Sequence, residues 1–101
     1  MSRPAPRRRA RNETAPLATF GSYIAERRRA LRLTQLDVAD LADVGVSSVR
    51  RLEAGQTSPT LEMTLRILDA LGLTLASMPR AAVRTLPDNV AELSVTKVGR
   101  Q

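Results

Sequence analysis

The sequence contains no cysteine and no histidine among its 101 residues. Without cysteine, disulfide bonds, thiolate nucleophiles and cysteine-ligated metal sites are excluded, so the fold must rest on packing alone. Without histidine, the chain lacks the commonest general base and metal ligand. The glycines are too widely spaced to form a glycine-rich loop around a nucleotide phosphate. We therefore expect no catalytic residues, no metal site and no cofactor, and we do not expect an enzyme.

Aromatic side chains and long apolar stretches are also scarce. Phe20 and Tyr23 are the aromatic residues of the chain, which leaves bases of single-stranded RNA few rings on which to stack. No apolar run approaches the ~20 residues that cross a bilayer, and no apolar segment follows the basic start as a signal peptide requires. The sequence therefore predicts a soluble, cytoplasmic protein with no membrane partner.

Positive charge is concentrated in the first third of the chain. Residues 1–33 contain nine arginines and two glutamates, whereas residues 34–101 contain seven basic and eight acidic residues. The net charge of +6 therefore comes from the N-terminal part, which favours a phosphate-bearing or otherwise anionic partner. The total length is that of one domain with tails.

Residues 1–18 combine arginines with prolines and small side chains. This composition buries too little apolar surface to fold, so we expect a disordered basic N-terminal arm over 1–18. An arm that follows or enters a groove of DNA and a merely solvated tail are equally consistent with it. A mitochondrial transit peptide is also rich in arginine, but Glu13 and the lack of an amphipathic stripe argue against one.

Apolar side chains at helical spacing predict four helices between residues 19 and 72. Thr34, with Asp37 three residues later, is an N-capping signal for the second helix. Gly55 and Gly72 follow the third and fourth apolar repeats, where a left-handed residue ends a helix. The first three helices are expected at about 19–32, 35–42 and 46–54. The fourth is expected to start at Ser58–Pro59 and to contain the repeat Leu61, Leu65, Leu68 and Leu71.

Beyond Gly72 the pattern becomes that of a short β-strand over 73–79. Leu73 and Leu75 alternate with smaller residues, and Pro79 prevents helical continuation. A lone strand is not stable, so its expected partner is the same strand of a second protomer. The alternative is an irregular extension. Residues 80–101 are expected to form a flexible C-terminal tail.

Two charged side chains fall on apolar helix faces. Arg28 follows Ile24 by four residues in the first helix, and Glu53 follows Val49 by four residues in the third. Because a single buried charge is costly, we expect Arg28 and Glu53 to form an ion pair that joins the two helices. The alternative is that both side chains reach solvent at the rim, where such a pair contributes little.

The opposite side of the third helix carries small and basic residues. Ser47, Arg50, Arg51 and Ala54 follow one another at i, i+3, i+4 and i+7, and no acidic residue shares this face of the helix. Such a stripe fits the major groove of double-stranded DNA, where arginine can bond bidentately to guanine. An ordinary solvated face would look the same, but the position after a tight helical corner favours DNA binding.

The stretch Leu33–Ala42, followed by Ser48–Gly55, resembles the helix-turn-helix of the Cro and phage-repressor superfamily, also called the xenobiotic-response-element family. The resemblance covers about residues 20–72. It rests on the Leu-Thr-Gln opening, the alanine at the centre of the second helix, the Glu-x-Gly end and the leucine-rich fourth helix. It implies an all-α, lambda-repressor-like four-helix helix-turn-helix domain that binds operator DNA as a dimer, with the third helix in the major groove.

The resemblance also implies roles for individual residues. Base reading falls on Ser47, Arg50 and Arg51, and phosphate contacts fall on Gln35, Ser48, Gln56 and Thr57. Arg28 and Glu53 match the interhelical ion pair of the family. Two positions depart from the family pattern: Asp43 stands where the turn usually has glycine, and Gly45 replaces the usual Ser or Thr cap of the third helix.

Leu71–Arg80 resembles the strand after the fourth helix of HipB-type antitoxins, which pairs two protomers. That resemblance implies a dimer strand containing Leu73 and Leu75. The expected function is a sequence-specific transcriptional regulator, acting as a repressor, that binds a palindromic operator as a homodimer and lies at the nucleoid. The alternative is an antitoxin that neutralises a toxin protein and autoregulates its operon, which an adjacent toxin reading frame would reveal.

Overall fold

Four α-helices and one short 3₁₀-helix make up the described part of the chain. The computed structural model describes residues 17–56 and 58–93. The helices are α1 (Ala18–Ala30), α2 (Gln35–Ala42), α3 (Val46–Glu53), α4 (Leu61–Ala70) and the 3₁₀-helix Arg80–Thr85. The all-α prediction is confirmed for the helical domain, and the bounds of α1, α2 and α3 lie within two residues of those expected from the apolar pattern.

The four α-helices surround one apolar core. α3 packs against α1 and α2, and α2 also packs against α4. Every helix contributes to or borders this core, whose fully buried large side chains are Ile24, Val38, Val49, Leu52, Ile67 and Leu71. Gly21 lets α1 approach α3 closely, because a Cβ at this position would overlap the backbone carbonyl oxygens of Leu52 and Glu53. The end of α3 is therefore held against the first turns of α1.

Residues close to one another in sequence define the start of α2 and the turn between α2 and α3. Thr34 and Asp37 form a capping box: Thr34 Oγ1 accepts from the Asp37 N–H at 2.9 Å, and Asp37 Oδ2 accepts from the Thr34 N–H at 2.8 Å. The hydrogen bonds from Thr34 lower the pKa of the exposed Asp37 carboxyl. Asp43 takes the left-handed conformation at φ 58°, so it fills the place of the turn glycine. Gly45 caps α3 with no side-chain hydrogen bond.

The start of α4 differs from the expected one. Ser58–Pro59 is not the cap; Thr60 is, and its Oγ1 accepts from the Met63 N–H at 3.1 Å. A threonine hydroxyl satisfies a helix-end N–H group, so the helix begins after Thr60. Gly72, at φ 71°, follows the end of α4 as the sequence predicts.

The strand expected over 73–79 is absent from the protomer. These residues have no regular secondary structure, and the described residues contain no strand with which they could pair. Backbone N–H and C=O groups of a single strand need such a partner, so an alternating apolar pattern alone did not produce one. Arg80–Thr85 then forms the 3₁₀-helix, within the segment expected to be a tail.

Candidate nucleic-acid interface

A buried ion pair fixes α3 against α1. Arg28 Nε lies 2.6 Å from Glu53 Oε2, and Arg28 Nη2 donates to Glu53 Oε1 at 3.0 Å. The two side chains are only 11% and 7% exposed. Arg28 Nη1 also donates to the Leu33 carbonyl oxygen at 2.9 Å. One guanidinium group therefore connects α1, the loop after it and the end of α3 in the two-pronged geometry that makes arginine–carboxylate pairs strong.

Gln35 extends this pair to the start of α2. Its Nε2 donates to Glu53 Oε1 at 2.9 Å, across eighteen residues of sequence. The first residue of α2 is thereby attached to the last residue of α3, which limits how the two helices can rotate against each other. Side-chain amides have a second N–H group and an acceptor oxygen, so this bond is compatible with the phosphate contact predicted for Gln35.

The surroundings of Glu53 keep its carboxylate ionised. Burial is the largest single influence and raises the pKa of Glu53, but the hydrogen bonds from Arg28 and Gln35, together with the charges of Arg28 and Arg29, bring that pKa below its ordinary value. The hydrogen bond to Glu53 in turn raises the pKa of Arg28. Both partners are therefore charged at neutral pH, which fits the rule that buried charges persist when they are paired and hydrogen-bonded.

The outer face of α3 carries the predicted base-reading residues. Val49 and Leu52 point into the core, whereas Ser47, Arg50, Arg51 and Ala54 are exposed. Successive residues of an α-helix are separated by about 100° around its axis. Ser47 and Ala54 therefore lie near the middle of the outer face, with Arg50 on one flank and Arg51 on the other.

Arg50 lies on the flank of α3 that faces α1. It lines an open cleft of about 400 Å³ formed by α1, the start of α2 and α3. We call this the α1/α3 cleft; its polar lining residues are Ser22, Glu26, Arg29, Gln35, Arg50 and Glu53. Two of the predicted contact residues, Gln35 and Arg50, are thus brought together beside the buried ion pair.

The remaining predicted phosphate contacts are at the two ends of α3. Ser48 is half-buried in its first turn, and Gln56 is exposed just after it. Thr57 lies outside the described residues. Gly55, at φ 69°, separates α3 from Gln56, and a Cβ there would lie 2.6 Å from Ala18 Cα. The loop after α3 therefore packs directly on the start of α1.

The sequence pattern missed Arg29 and the partner of Gln35. Ser22, Glu26 and Arg29 follow one another at i, i+4 and i+7, which is the spacing of one helix face. That spacing could have shown that a polar stripe runs beside the apolar stripe of α1. The Gln35–Glu53 bond had no such signal, because it depends on the angle between α2 and α3.

Leu73 and Leu75 lie in an apolar groove along α4. Leu61, Leu65 and Leu68 of α4 line the same open groove of about 700 Å³, together with the polar residues Glu62, Arg66, Asp69 and Thr74. Leu61 is 63% exposed, Leu65 is 43% exposed and Leu75 is 42% exposed. Large leucines are thus left uncovered on the side of α4 that does not face the core.

Residues 17–56 and 58–93 contain neither a metal-binding cluster nor a membrane-spanning helix. No group of three or more acidic, histidine or cysteine side chains in these ranges could hold a metal ion. None of the helices they form is long and apolar enough to span a bilayer.

The arrangement of α2, a left-handed corner and α3 is that of a helix-turn-helix, and comparison with known families agrees. The helix-turn-helix family model matches residues 24–77, which is 54 of the 101 residues. The chain belongs to the Cro/C1-type helix-turn-helix family. The matched range contains α2, α3, α4 and the Arg28–Glu53 pair.

Curated relatives of this helix-turn-helix protein are bacterial and phage regulators by name. The cryptic phage CTXphi transcriptional repressor RstR of Vibrio cholerae is 33% identical over 52 residues, which is 52% of this chain and 46% of the relative. An uncharacterized HTH-type transcriptional regulator of Haemophilus influenzae is 38% identical over 52 residues, 52% of this chain and 53% of the relative. The chain thus spans about half the length of each of these relatives. No solved structure matches it significantly.

Proposed function

We propose that this protein is a sequence-specific DNA-binding transcriptional regulator that acts as a repressor and is not an enzyme. The observation that carries the proposal is the outer face of α3, which presents small and basic side chains while Arg28, Glu53 and Gln35 hold the helix rigidly from behind. Functional side chains need such rigid support to be presented in a constant geometry. The family match and the printed name of the Vibrio relative support the same function.

In this proposal α3 enters the major groove of double-stranded DNA. Ser47 and Arg51 read base edges, and arginine is suited to guanine because it can donate two hydrogen bonds to it. Backbone phosphates are contacted by Gln35, Ser48, Gln56 and Thr57. Arg50, also expected to read bases, belongs to the flank of α3 that faces the α1/α3 cleft.

We propose a homodimer whose interface is the apolar groove along α4. Leucines exposed to this extent on a small domain favour a covering partner, and a second copy offers an identical groove. Leu73 and Leu75 border the groove. Within the described residues, Thr74 to Met78 donate no backbone–backbone hydrogen bond, so their N–H groups are available to pair with the same segment of the second protomer.

A two-fold dimer predicts the form of the operator. Two recognition helices related by two-fold symmetry read half-sites whose centres are one helical turn apart, roughly 34 Å or ~10 base pairs. The operator is therefore a pseudo-palindrome. The regulator acts where chromosomal DNA is, at the bacterial nucleoid in the cytoplasm.

The decisive experiment is selection of bound sequences from a random duplex pool with the full chain at physiological salt. We expect recovery of a two-fold-symmetric site. An Arg51→Ala variant, carried through the same selection, is expected to lose information at one position of each half-site. Recovery of sequences with no common motif would contradict the proposal, because charge alone would then account for binding.

The antitoxin alternative depended on a strand after α4 and on the C-terminal tail. A strand that forms only between two protomers would fit a regulator and an antitoxin alike, and residues 94–101 lie outside the described residues. No observation therefore favours an antitoxin over a regulator. Co-purification of the chain with the product of an adjacent toxin reading frame would support it.

A further inference from the structure

We propose that the α1/α3 cleft receives a backbone phosphate of the bound DNA and that Arg29 and Arg50 are its ligands. The inference rests on the proposed DNA-binding function and makes it more specific. It adds Arg29 to the interface, and it assigns Arg50 to the DNA backbone rather than to a base.

The first support is that Arg29 and Arg50 are exposed and take part in no ion pair among the described residues. Both are exposed, and both line the cleft of about 400 Å³. The ion pairs among the described residues join Arg28 to Glu53 and Arg66 to Glu62 and Asp43. Neither Arg29 nor Arg50 takes part in them. Two guanidinium groups from different helices therefore face one recess without a carboxylate partner within ion-pair distance.

The second support is the charge of the recess. Glu53 lines it, but its carboxylate is already bound by Arg28 and Gln35. Glu26 is then the one lining carboxylate not engaged in a described ion pair. Arg29 and Arg50 outweigh it, so the recess has a net positive charge. A phosphate oxygen is the anionic group that DNA offers, and arginine binds it with planar, two-pronged geometry.

The third support is the direction of Arg50 from α3. The major groove is about 12 Å wide and an α-helix with side chains is about 10–12 Å across, so the flank of a groove-bound helix that adjoins a second DNA-facing helix lies beside one sugar-phosphate wall. Arg50 is on the flank that faces α1, where Gln35 and Arg29 already lie. Arg51 is on the flank turned away from this cleft. The two adjacent arginines therefore meet different parts of the duplex.

The test measures the affinity of three variants of the full chain, Arg29→Ala, Arg50→Ala and Arg51→Ala, for the selected operator and for an unrelated duplex. We expect Arg29→Ala and Arg50→Ala to weaken binding to both duplexes by the same factor. Each should also reduce the slope of log affinity against log salt by about one per protomer. The base preferences of the selected site stay unchanged in both variants.

Two further variants serve as controls. Glu26→Gln removes the remaining carboxylate of the recess, so it is expected to strengthen binding to both duplexes several-fold. Arg84→Ala removes the same charge as Arg29→Ala but lies on the 3₁₀-helix Arg80–Thr85, outside the linings of the α1/α3 cleft and of the groove along α4, and should leave affinity unchanged. Unfolding midpoints equal to that of the unmodified chain establish that each variant folds.

The outcomes separate this inference from the proposed function. A change of base preference in Arg50→Ala, or unchanged affinity in Arg29→Ala, would overturn the phosphate assignment while leaving sequence-specific binding intact. Loss of affinity in Arg84→Ala equal to that in Arg29→Ala would overturn it as well, because net charge and not the cleft would then be responsible. Failure of the unmodified chain to select any sequence would instead refute the regulator itself.

Discussion

The side-chain amide of Gln35 donates to Glu53 Oε1 at 2.9 Å, so the first residue of α2 is hydrogen-bonded to the last residue of α3. The same carboxylate is held by Arg28 from α1. Glu53 is therefore the common partner of three helices. This carboxylate adds polar contacts to the core packing that sets the relative orientation of the two helices of the helix-turn-helix.

Glu53→Gln is expected to destabilise the domain strongly. The substitution keeps the shape of the side chain but leaves the buried Arg28 without a counter-charge, and removing one partner of a buried pair costs about 3–5 kcal/mol. Urea unfolding measures the free-energy change. Glu62→Gln is the matched control, because Glu62 pairs with Arg66 at the exposed surface, where solvent screens the charges and a pair contributes little. Equal losses of unfolding free energy in the two variants would show that the Arg28–Glu53 pair stabilises the domain no more than an exposed pair does.

The stability of the domain should fall on acidification, and part of that fall should belong to Glu53. Its pKa is lower in the folded chain than its ordinary value of 4.5, so its contribution is complete above 4.5 and is lost as the pH falls through the lower folded value. The free energy of unfolding, measured from pH 7 to pH 3, is expected to decline at the acidic end. Glu53→Gln should show a shallower decline. The pKa of the capping-box carboxyl of Asp37 is also lowered, so Asp37→Asn should measure how much of the decline comes from that group. An identical pH profile in Glu53→Gln and the unmodified chain would contradict the assignment.

Gly21→Ala is expected to destabilise the contact between α1 and α3. The added Cβ would overlap the carbonyl oxygens of Leu52 and Glu53, which are backbone atoms that cannot rotate away. Overpacking of this kind costs about 1–3 kcal/mol. Thermal unfolding measures the loss. Gly45→Ser is the control: its Cβ would meet nothing nearer than Ser47 Oγ at 4.0 Å, and serine is a good N-cap, so stability should be kept or slightly increased. A Gly21→Ala variant as stable as Gly45→Ser would refute the close approach.

Arg51→Ala and Gln35→Ala should impair DNA binding in different ways. Loss of a base-reading arginine relaxes preference at one position of each half-site by about 1–3 kcal/mol, whereas loss of a phosphate contact weakens all sequences similarly. Binding to the selected site and to its single-base variants distinguishes the two patterns. Because Gln35 also bonds Glu53, the unfolding midpoint of Gln35→Ala is measured first. The same uniform loss in both variants would remove Arg51 from the base-reading set.

Leu65→Glu is expected to disrupt the proposed dimer. Leu65 is 43% exposed in the groove along α4, and a carboxylate there would face the apolar surface of the second protomer, where an unpaired charge is costly. Sedimentation equilibrium gives the dissociation constant of the dimer. Leu41→Glu introduces the same charge at a leucine of α2 that is 63% exposed and outside that groove, and should leave dimerisation unchanged. A Leu65→Glu chain as dimeric as Leu41→Glu would place the interface elsewhere.

The meeting of Arg28 and Glu53 could be inferred from spacing alone. Each charge lies four residues from a core side chain of its own helix, and two charges on buried faces have few stable arrangements other than a pair. The Thr34 cap and the left-handed Gly55 and Gly72 were also predictable. They depend on residues within one helical turn, where sequence and conformation are closely linked.

The leucine repeat of α4 was informative about the helix but not about which leucines are buried. Leu68 and Leu71 are in the core, whereas Leu61 and Leu65 are exposed. All four have the spacing of one broad apolar face, and only the position of α2 against α4 decides where the core ends. The strand expected at 73–79 is not formed within the protomer for a related reason, because alternation cannot supply the neighbouring strand that pairing requires.

By itself, the amino-acid sequence determined that the chain is helical, where most of its helices begin and end, and which face of α3 is free of acidic residues. Those properties follow from side chains a few positions apart. The packing of the helices decided that Gln35 reaches Glu53, that Arg50 and Arg29 share a recess, and that leucines of α4 remain uncovered. Such relationships join residues far apart in the chain, and they arise only when the crossing angles of the helices are set by the core.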